Sequence, residues 1–401
     1  MWIPLVWDAE SIGSRRPWPP WQRQQLDQRK GPVFPMALIL TYLGKGGSGS
    51  TTVAIAAAKQ RARAGQRVLL AIQDVTPAPA LLLGQALSVE PQELEPKLWV
   101  MQFQTAALLE KSWDEVKALE SQYLRTPFLK AVYGQELGVM PGIDSALALN
   151  TLRQLDGSDR YDVIIYDGSE ALATLRMLGM PEILDWYLRR FRGVFQQSDV
   201  GRVISPFLQP MASAVLAVDW SGDVLDQPTG QVRSQLEEGR QAVTNPSRMA
   251  AFLVTTPTAG SVATARYLWG SAQQIGLTVG GVLVNHGVLD AEQIHAFAPL
   301  PQVPLPSVID QGWDAAVEAL PDPAQWAAAA PRPVTVDAAT KTVRLFLPSF
   351  DKTQVKLTQY GPEVTIEAGD QRRNLLLPPA LQGKAVAGAK FQDQHLVISF
   401  S

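Results

Sequence analysis

The 401-residue chain contains no cysteine and only three histidines, His286, His295 and His395. The first absence removes disulfides, cysteine-ligated zinc, iron–sulfur clusters, thiol nucleophiles and thiol redox switches together. The second leaves little for a histidine-based metal site. There is no surplus of positive charge either: 35 Lys and Arg stand against 38 Asp and Glu, a formal net charge of −3. Such a chain has no general electrostatic pull toward nucleic acid or anionic membrane. No stretch approaches the roughly 18 consecutive apolar residues of a membrane-spanning helix. The N-terminus lacks the basic start and apolar stretch of a secretory signal, and Asp8, Glu10 and Asp27 argue against a plastid transit peptide. These absences lead to the expectation of a soluble cytoplasmic protein, with no nucleic-acid partner and no integral membrane segment.

What is present is a 46% hydrophobic composition over a length that suggests about two to three domains. Residues 1–35 are rich in Trp, Pro and Arg and show neither helical nor strand periodicity. They read as a flexible arm, or as sequence ahead of a natural start at Met36. A Trp-bearing arm that docks on a partner is the sharper alternative. From residue 37 the pattern changes. Apolar runs at 37–42, 67–72, 161–167, 251–255 and 279–285 alternate with helical composition at 53–64 and 261–275. Strands buried on both faces, alternating with helices, make a doubly wound parallel α/β sheet. Two longer regions, 84–150 and 171–245, read as helical insertions. Residues 321–332, dominated by Pro and Ala, read as a linker. Beyond it, seven short alternating segments between 333 and 400 read as a small β-sandwich.

The first strand runs into Gly44-Lys45-Gly46-Gly47-Ser48-Gly49-Ser50-Thr51-Thr52. Glycines allow backbone N–H groups to converge on a phosphate at a helix N-terminus, where the helix dipole also favours an anion. A ligand-free glycine turn is the plainer reading of the loop alone. Asp74 after the second strand and Asp167 at the end of the third weaken it. They stand in order on strand ends, where phosphate-loop enzymes place a water-orienting acid and a magnesium-side acid.

These motifs resemble the ArsA/Get3 family of dimeric ATPases. Lys45–Thr52 is similar to the deviant Walker A pattern K-G-G-x-G-K-[ST]-[ST], except that Ser50 stands in place of the second Lys. Asp74–Pro79 resembles the first switch, Pro141–Asp144 the P-G-I-D stretch, and Asp167–Arg176 the second switch with Thr174-Leu175-Arg176 intact. Thr255-Thr256-Pro257 and the strand ending at Asn285 are similar to the nucleoside side of the site. The segments 343–348, 374–378, 387–391 and 396–400 resemble an α-crystallin (HSP20-like) domain, as in the Get3d branch. ParA/MinD proteins share the loop but lack the insertions and the sandwich.

The resemblance implies a P-loop NTPase-like domain over 36–320 with a helical client subdomain, and an α-crystallin-like sandwich over 333–401. It implies ATP and Mg²⁺ as cofactors. Gly44, Lys45, Gly46, Gly47, Gly49, Ser50, Thr51 and Thr52 would hold phosphates, with Asn285 and Pro257 near the adenine. Thr51 and Asp167 would face the metal. Asp74 would orient water, and Lys45 would supply charge. It also implies a homodimer with hydrophobic or tail-anchored-type protein clients. Leu184, Trp186, Phe191, Phe195, Phe207 and Met211 are the candidates for an apolar client groove, against the plainer reading of core residues. Without the loop Lys, hydrolysis is expected to be weak or lost. The missing cysteines exclude the family's arsenite-binding thiols and its shared zinc clamp. A pseudo-ATPase scaffold that binds a protein partner is the alternative.

Overall fold

The computed structural model describes residues 36–111, 142–197, 228–369 and 371–401. The first strand, β1 (Leu38–Gly44), leads into α1 (Ser50–Arg63), β2 (Val68–Ile72) and α2 (Pro77–Leu83). A short hairpin of β3 (Gln92–Glu95) and β4 (Leu98–Gln102) follows, then α3 (Ile143–Asp156), β5 (Val163–Asp167), α4 (Ala171–Gln197) and α5 (Pro228–Thr244). The domain closes with β6 (Met249–Thr255), α6 (Ala259–Gln274), β7 (Thr278–Val284), α7 (Ala291–Ala296), β8 (Gln302–Pro304), α8 (Val308–Ala319) and α9 (Pro323–Ala329).

These strands form one sheet in the order β3-β4-β2-β5-β1-β6-β7-β8, parallel except for the β3–β4 edge pair. β2, β5, β6 and β7 are buried at every position, which is why they read as unbroken apolar runs. α1 lies on one face through Ala54, Ala56, Ala57 and Ala58, whose small side chains bring the helix close to the strands. α3, α4 and α6 cover the other face through residues such as Leu147, Leu175 and Trp269. β1 lies between β5 and β6, so the C-terminal ends of the central strands form one crevice edge, where open α/β sheets take ligands.

Seven further strands follow: β9 (Val334–Asp337), β10 (Thr342–Phe346), β11 (Val355–Tyr360), β12 (Glu363–Ala368), β13 (Gln371–Leu376), β14 (Val386–Gln392) and β15 (His395–Phe400). They make antiparallel sheets β14-β15-β10-β9 and β11-β12-β13 around Val343, Leu345, Val364, Ile366, Leu396 and Ile398. This is the all-β domain expected from the alternating pattern. It is fused to α6. Trp269, with no exposed surface, meets Phe346 edge-on at 5.4 Å, and Tyr267 meets Phe350 at 6.0 Å. At Gly270 an added Cβ would sit 2.5 Å from both Phe350 and the Pro348 carbonyl oxygen.

Two expectations need correction. The stretch 84–150 is not wholly helical, because β3 and β4 extend the sheet within it. Leu98, Val100 and Met101 supply a buried strand pattern that the surrounding polar residues concealed. Residues 321–332 are not an extended linker. Asp322 caps α9 by accepting the Ala324 and Gln325 N–H groups, and Ala327 is buried in the sheet core. Alanine looks like spacer in a sequence but is a packing residue when a helix lies close to a sheet.

The β14–β15 hairpin turns through Asp393 (φ 50°) and Gln394 (φ 59°), both left-handed. Such a two-residue turn favours glycine at its second position. Gln394→Gly is expected to raise stability by about 0.5–1 kcal/mol, the left-handed cost less glycine's entropy. Chemical denaturation checks this; an unchanged or lower midpoint overturns it.

Candidate functional site

The loop between β1 and α1 lies at the crevice edge. Gly49 is the N-cap of α1 with φ 89°, a conformation that L side chains rarely adopt. A Cβ there would also overlap the Asn285 amide. Gly46 and Gly47 have nothing within 4 Å of a built Cβ, so the loop backbone faces open space. Lys45 is exposed. Ser48 is buried, and its hydroxyl lies 3.4 Å from that of Ser50. Both hydroxyls turn toward Gly44: an added Cβ on Gly44 would overlap Ser48 Oγ and lie 2.7 Å from Ser50 Oγ. Ser50 begins α1, with Thr51 and Thr52 beside it in the first turn.

Asp167 ends β5 and is 2% exposed. The Thr51 side chain lies beside its carboxyl group, while its Oδ2 is buried without a hydrogen-bond partner. Burial pushes the Asp167 pKa up to about 7, the polar Thr51 side chain opposes the shift, and the nearby Asp74 charge adds to it. A buried carboxylate with an unused oxygen beside a hydroxyl, under open loop backbone, fits a divalent cation carrying phosphates. The fit is incomplete in charge, because Ser50 supplies no ammonium.

Asp74 stands just past β2, beside Asp167: Gln73 donates its N–H to the Asp167 carbonyl at 2.9 Å. Its carboxylate turns back on its own loop, accepting the Thr76 N–H at 2.8 Å and the Thr76 hydroxyl at 2.9 Å. Asn285 is buried behind the loop, where Nδ2 donates to the Ser48 carbonyl at 3.1 Å and Oδ1 accepts the His286 N–H at 3.0 Å. Its amide braces the loop in this arrangement. Pro257 lies nearby: a Cβ on Gly287 would sit 3.0 Å from its ring, and its carbonyl accepts from Gln293 at 2.8 Å. The sheet therefore brings together Gly44–Thr52, Asp74, Asp167, Pro257 and Asn285.

The groove candidates fare differently. Leu184 is half-buried on α4. Trp186 is engaged by the C-terminal domain: its indole N–H donates to Glu363 at 3.1 Å, and the Arg372 guanidinium lies 5.5 Å from its ring centre. Trp186 is therefore partly covered by the C-terminal domain. Phe191 and Phe195 belong to α4, but their side chains lie outside the described residues, as do Phe207 and Met211 altogether. Among the described residues no helix is long and apolar enough to cross a membrane.

Two residues beside the acids carried no motif signal. Tyr166, 1% exposed, donates its hydroxyl to Gln73 Oε1 and lies 3.5 Å from the Met177 sulfur of α4. Gln102 donates to the Asp74 carbonyl at 2.8 Å. A phenol at the end of an otherwise aliphatic strand is the signal that would have found Tyr166.

Residues 37–299 match the anion-transporting ATPase family (ArsA), and residues 338–400 match the HSP20-like domain found in ArsA. The chain belongs to the ArsA ATPase family. It is 24% identical to a putative arsenical pump-driving ATPase of Chlorobaculum tepidum, over 90% of this chain and 95% of that one. A second putative arsenical pump-driving ATPase, from Prosthecochloris vibrioformis, matches at the same identity and coverage. An ATPase ASNA1 homolog of Babesia bovis is 31% identical over 35% of this chain and 38% of its own. Membership in the ArsA family implies nucleotide binding.

The brace is testable. Asn285→Ala is expected to lower stability by about 1–3 kcal/mol, because the buried Ser48 carbonyl loses its donor. Asn285→Asp should cost at least as much, since it sets a carboxylate oxygen against a carbonyl. Equilibrium unfolding measures both; a change below about 0.5 kcal/mol, the scale of ordinary surface substitutions, would remove the brace.

Proposed function

We propose that this protein is a Get3d-like, ATP-binding chaperone or targeting factor for hydrophobic, tail-anchored-type membrane-protein clients, acting as a cytoplasmic homodimer with impaired hydrolysis. The observation that carries the impairment is the Ser48–Ser50 hydroxyl pair where the family pattern places an ammonium. A lysine there neutralises developing phosphate charge, and loss of one such preorganised contact costs roughly 10²–10³ in rate. In this reading the N–H groups of Gly46, Gly47 and residues 49–51 would hold the phosphates, and Thr51 and Asp167 would hold Mg²⁺. The metal, when bound, supplies charge neutralisation between phosphate oxygens. Lys45, exposed and adjacent, adds positive charge at the mouth of the loop.

The cysteine-free sequence supports targeting over arsenite transport, since no thiols are available for arsenite. It also implies a dimer held by packing or nucleotide rather than zinc. A pseudo-ATPase scaffold is the second reading, favoured by the Asp74 carboxylate being tied to Thr76 instead of presented to the crevice.

Calorimetry with ADP and ATP, with and without Mg²⁺, tests binding. Magnesium-dependent affinity that falls at least about tenfold in Asp167→Asn supports the site; no binding of either nucleotide leaves the scaffold reading. Ser50→Lys is expected to raise turnover by about 10²-fold. Ordinary family turnover in the unaltered protein, abolished by Asp74→Asn, would refute impaired hydrolysis.

A further inference from the structure

The C-terminal domain grips the rest of the chain in two chemically different ways. Against α6 the contact is apolar and close-packed: Trp269 on Phe346, Tyr267 on Phe350, and the backbone approach at Gly270. Such a contact cannot slide without opening a void. Against α4 the contact is polar. Trp186 donates to Glu363, Arg372 lies over the Trp186 ring, and buried Arg373 holds its Nε 3.6 Å from Glu182 Oε1. Arg373 is also fixed to the α6 end, donating Nη1 to the Gln273 carbonyl at 3.2 Å. The β12–β13 hairpin is thus anchored on α6 and holds α4 by directional contacts.

The inner end of α4 touches the Asp167 loop directly and reaches the Asp74 loop through Tyr166. The Thr174 hydroxyl fills the space where Gly168, the residue after Asp167, would carry a Cβ. Met177 meets the Tyr166 hydroxyl, which bonds to Gln73, the residue before Asp74. Between the two ends lies Pro181, within the helix. Proline cannot donate to the carbonyl four residues back, here that of Met177, so this is the weak joint of the helix. Its ring packs on α5, 3.0 Å from a Cβ built at Gly239. A helix with such a joint needs its outer half held from outside if its inner half is to keep a fixed position.

We infer that the C-terminal domain supplies positioning residues for the nucleotide site: Glu363, Arg372 and Arg373 clasp Trp186 and Glu182, and through α4 set the Asp167 and Asp74 loops. The domain is then a fixed stop for the second-switch helix. The inference deepens the proposed nucleotide-regulated function, but the clasp can be tested without nucleotide.

The test uses the full-length protein in three variants: Glu363→Ala with Arg372→Ala, Trp186→Phe, and Glu363→Gln. Amide hydrogen exchange is followed across 168–176, which touches none of the altered residues. The double variant is expected to speed exchange there about tenfold, and Trp186→Phe to change it in the same direction but less. Glu363→Gln keeps an acceptor for the indole N–H and should retain the original exchange. Thermal melts identify any variant that merely unfolds, in which case Trp186→Phe decides. Acceleration confined to 182–187, with 168–176 unchanged, overturns the inference. Calorimetry with Mg²⁺ and ADP adds a second arm, in which the double variant is expected to shift Kd at least about threefold. If the unaltered protein binds no nucleotide, the functional reading fails, while exchange still decides the clasp. If it binds and the double variant leaves Kd and exchange unchanged, the clasp is purely structural.

Discussion

The site depends on how closely the N-terminus of α1 approaches the C-terminal edge of the sheet. That approach needs residues without side chains at Gly44 and Gly49, since a Cβ on the first would lie 2.6 Å from the Val254 carbonyl oxygen and on the second would overlap Asn285. It also needs a donor for the buried Ser48 carbonyl, which Asn285 supplies from the end of β7. The helix dipole and the open backbone at Gly46 and Gly47 then face the crevice. The Thr51 hydroxyl is delivered to Asp167 by the same placement.

The same crevice is electrostatically unusual. Asp167 is buried, raised toward neutrality and close to a second acid, so an added cation would relieve a cost already present in the fold. At position 50 the loop answers with a hydroxyl instead of an ammonium. Neutral donors can hold phosphate, but they neutralise none of its charge, which is the physical basis of the impaired hydrolysis proposed above.

The C-terminal domain is structurally part of the ATPase domain. Its attachment to α6 is built like a protein interior, whereas its hold on α4 is built from a cation over an indole, a hydrogen bond and a loosely spaced ion pair. Rigid attachment on one side and directional polar contact on the other let one domain restrain a helix without freezing it. Trp186, which looked in the sequence like a lining for apolar clients, is part of that restraint.

Much of the fold was legible in the residues. Strands buried on both faces must be continuously apolar, so β1, β2, β5, β6 and β7 announced themselves, and period-two alternation did the same for β9–β15. The loop, Asp74 and Asp167 could be placed at strand ends from the residues, and the fold sets them at one edge of the sheet. The β3–β4 hairpin and α9 were not, because short strands and alanine-rich helices take their meaning from what they pack on. Only the tertiary structure decided that Asn285 braces the loop, that Tyr166 joins the two acid-bearing loops through Gln73, and that Arg372 and Glu363 meet Trp186. The reason is physical. Periodicity and local chemistry record a residue's own burial and backbone, whereas these contacts join residues up to 237 positions apart, and only folding selects such partners.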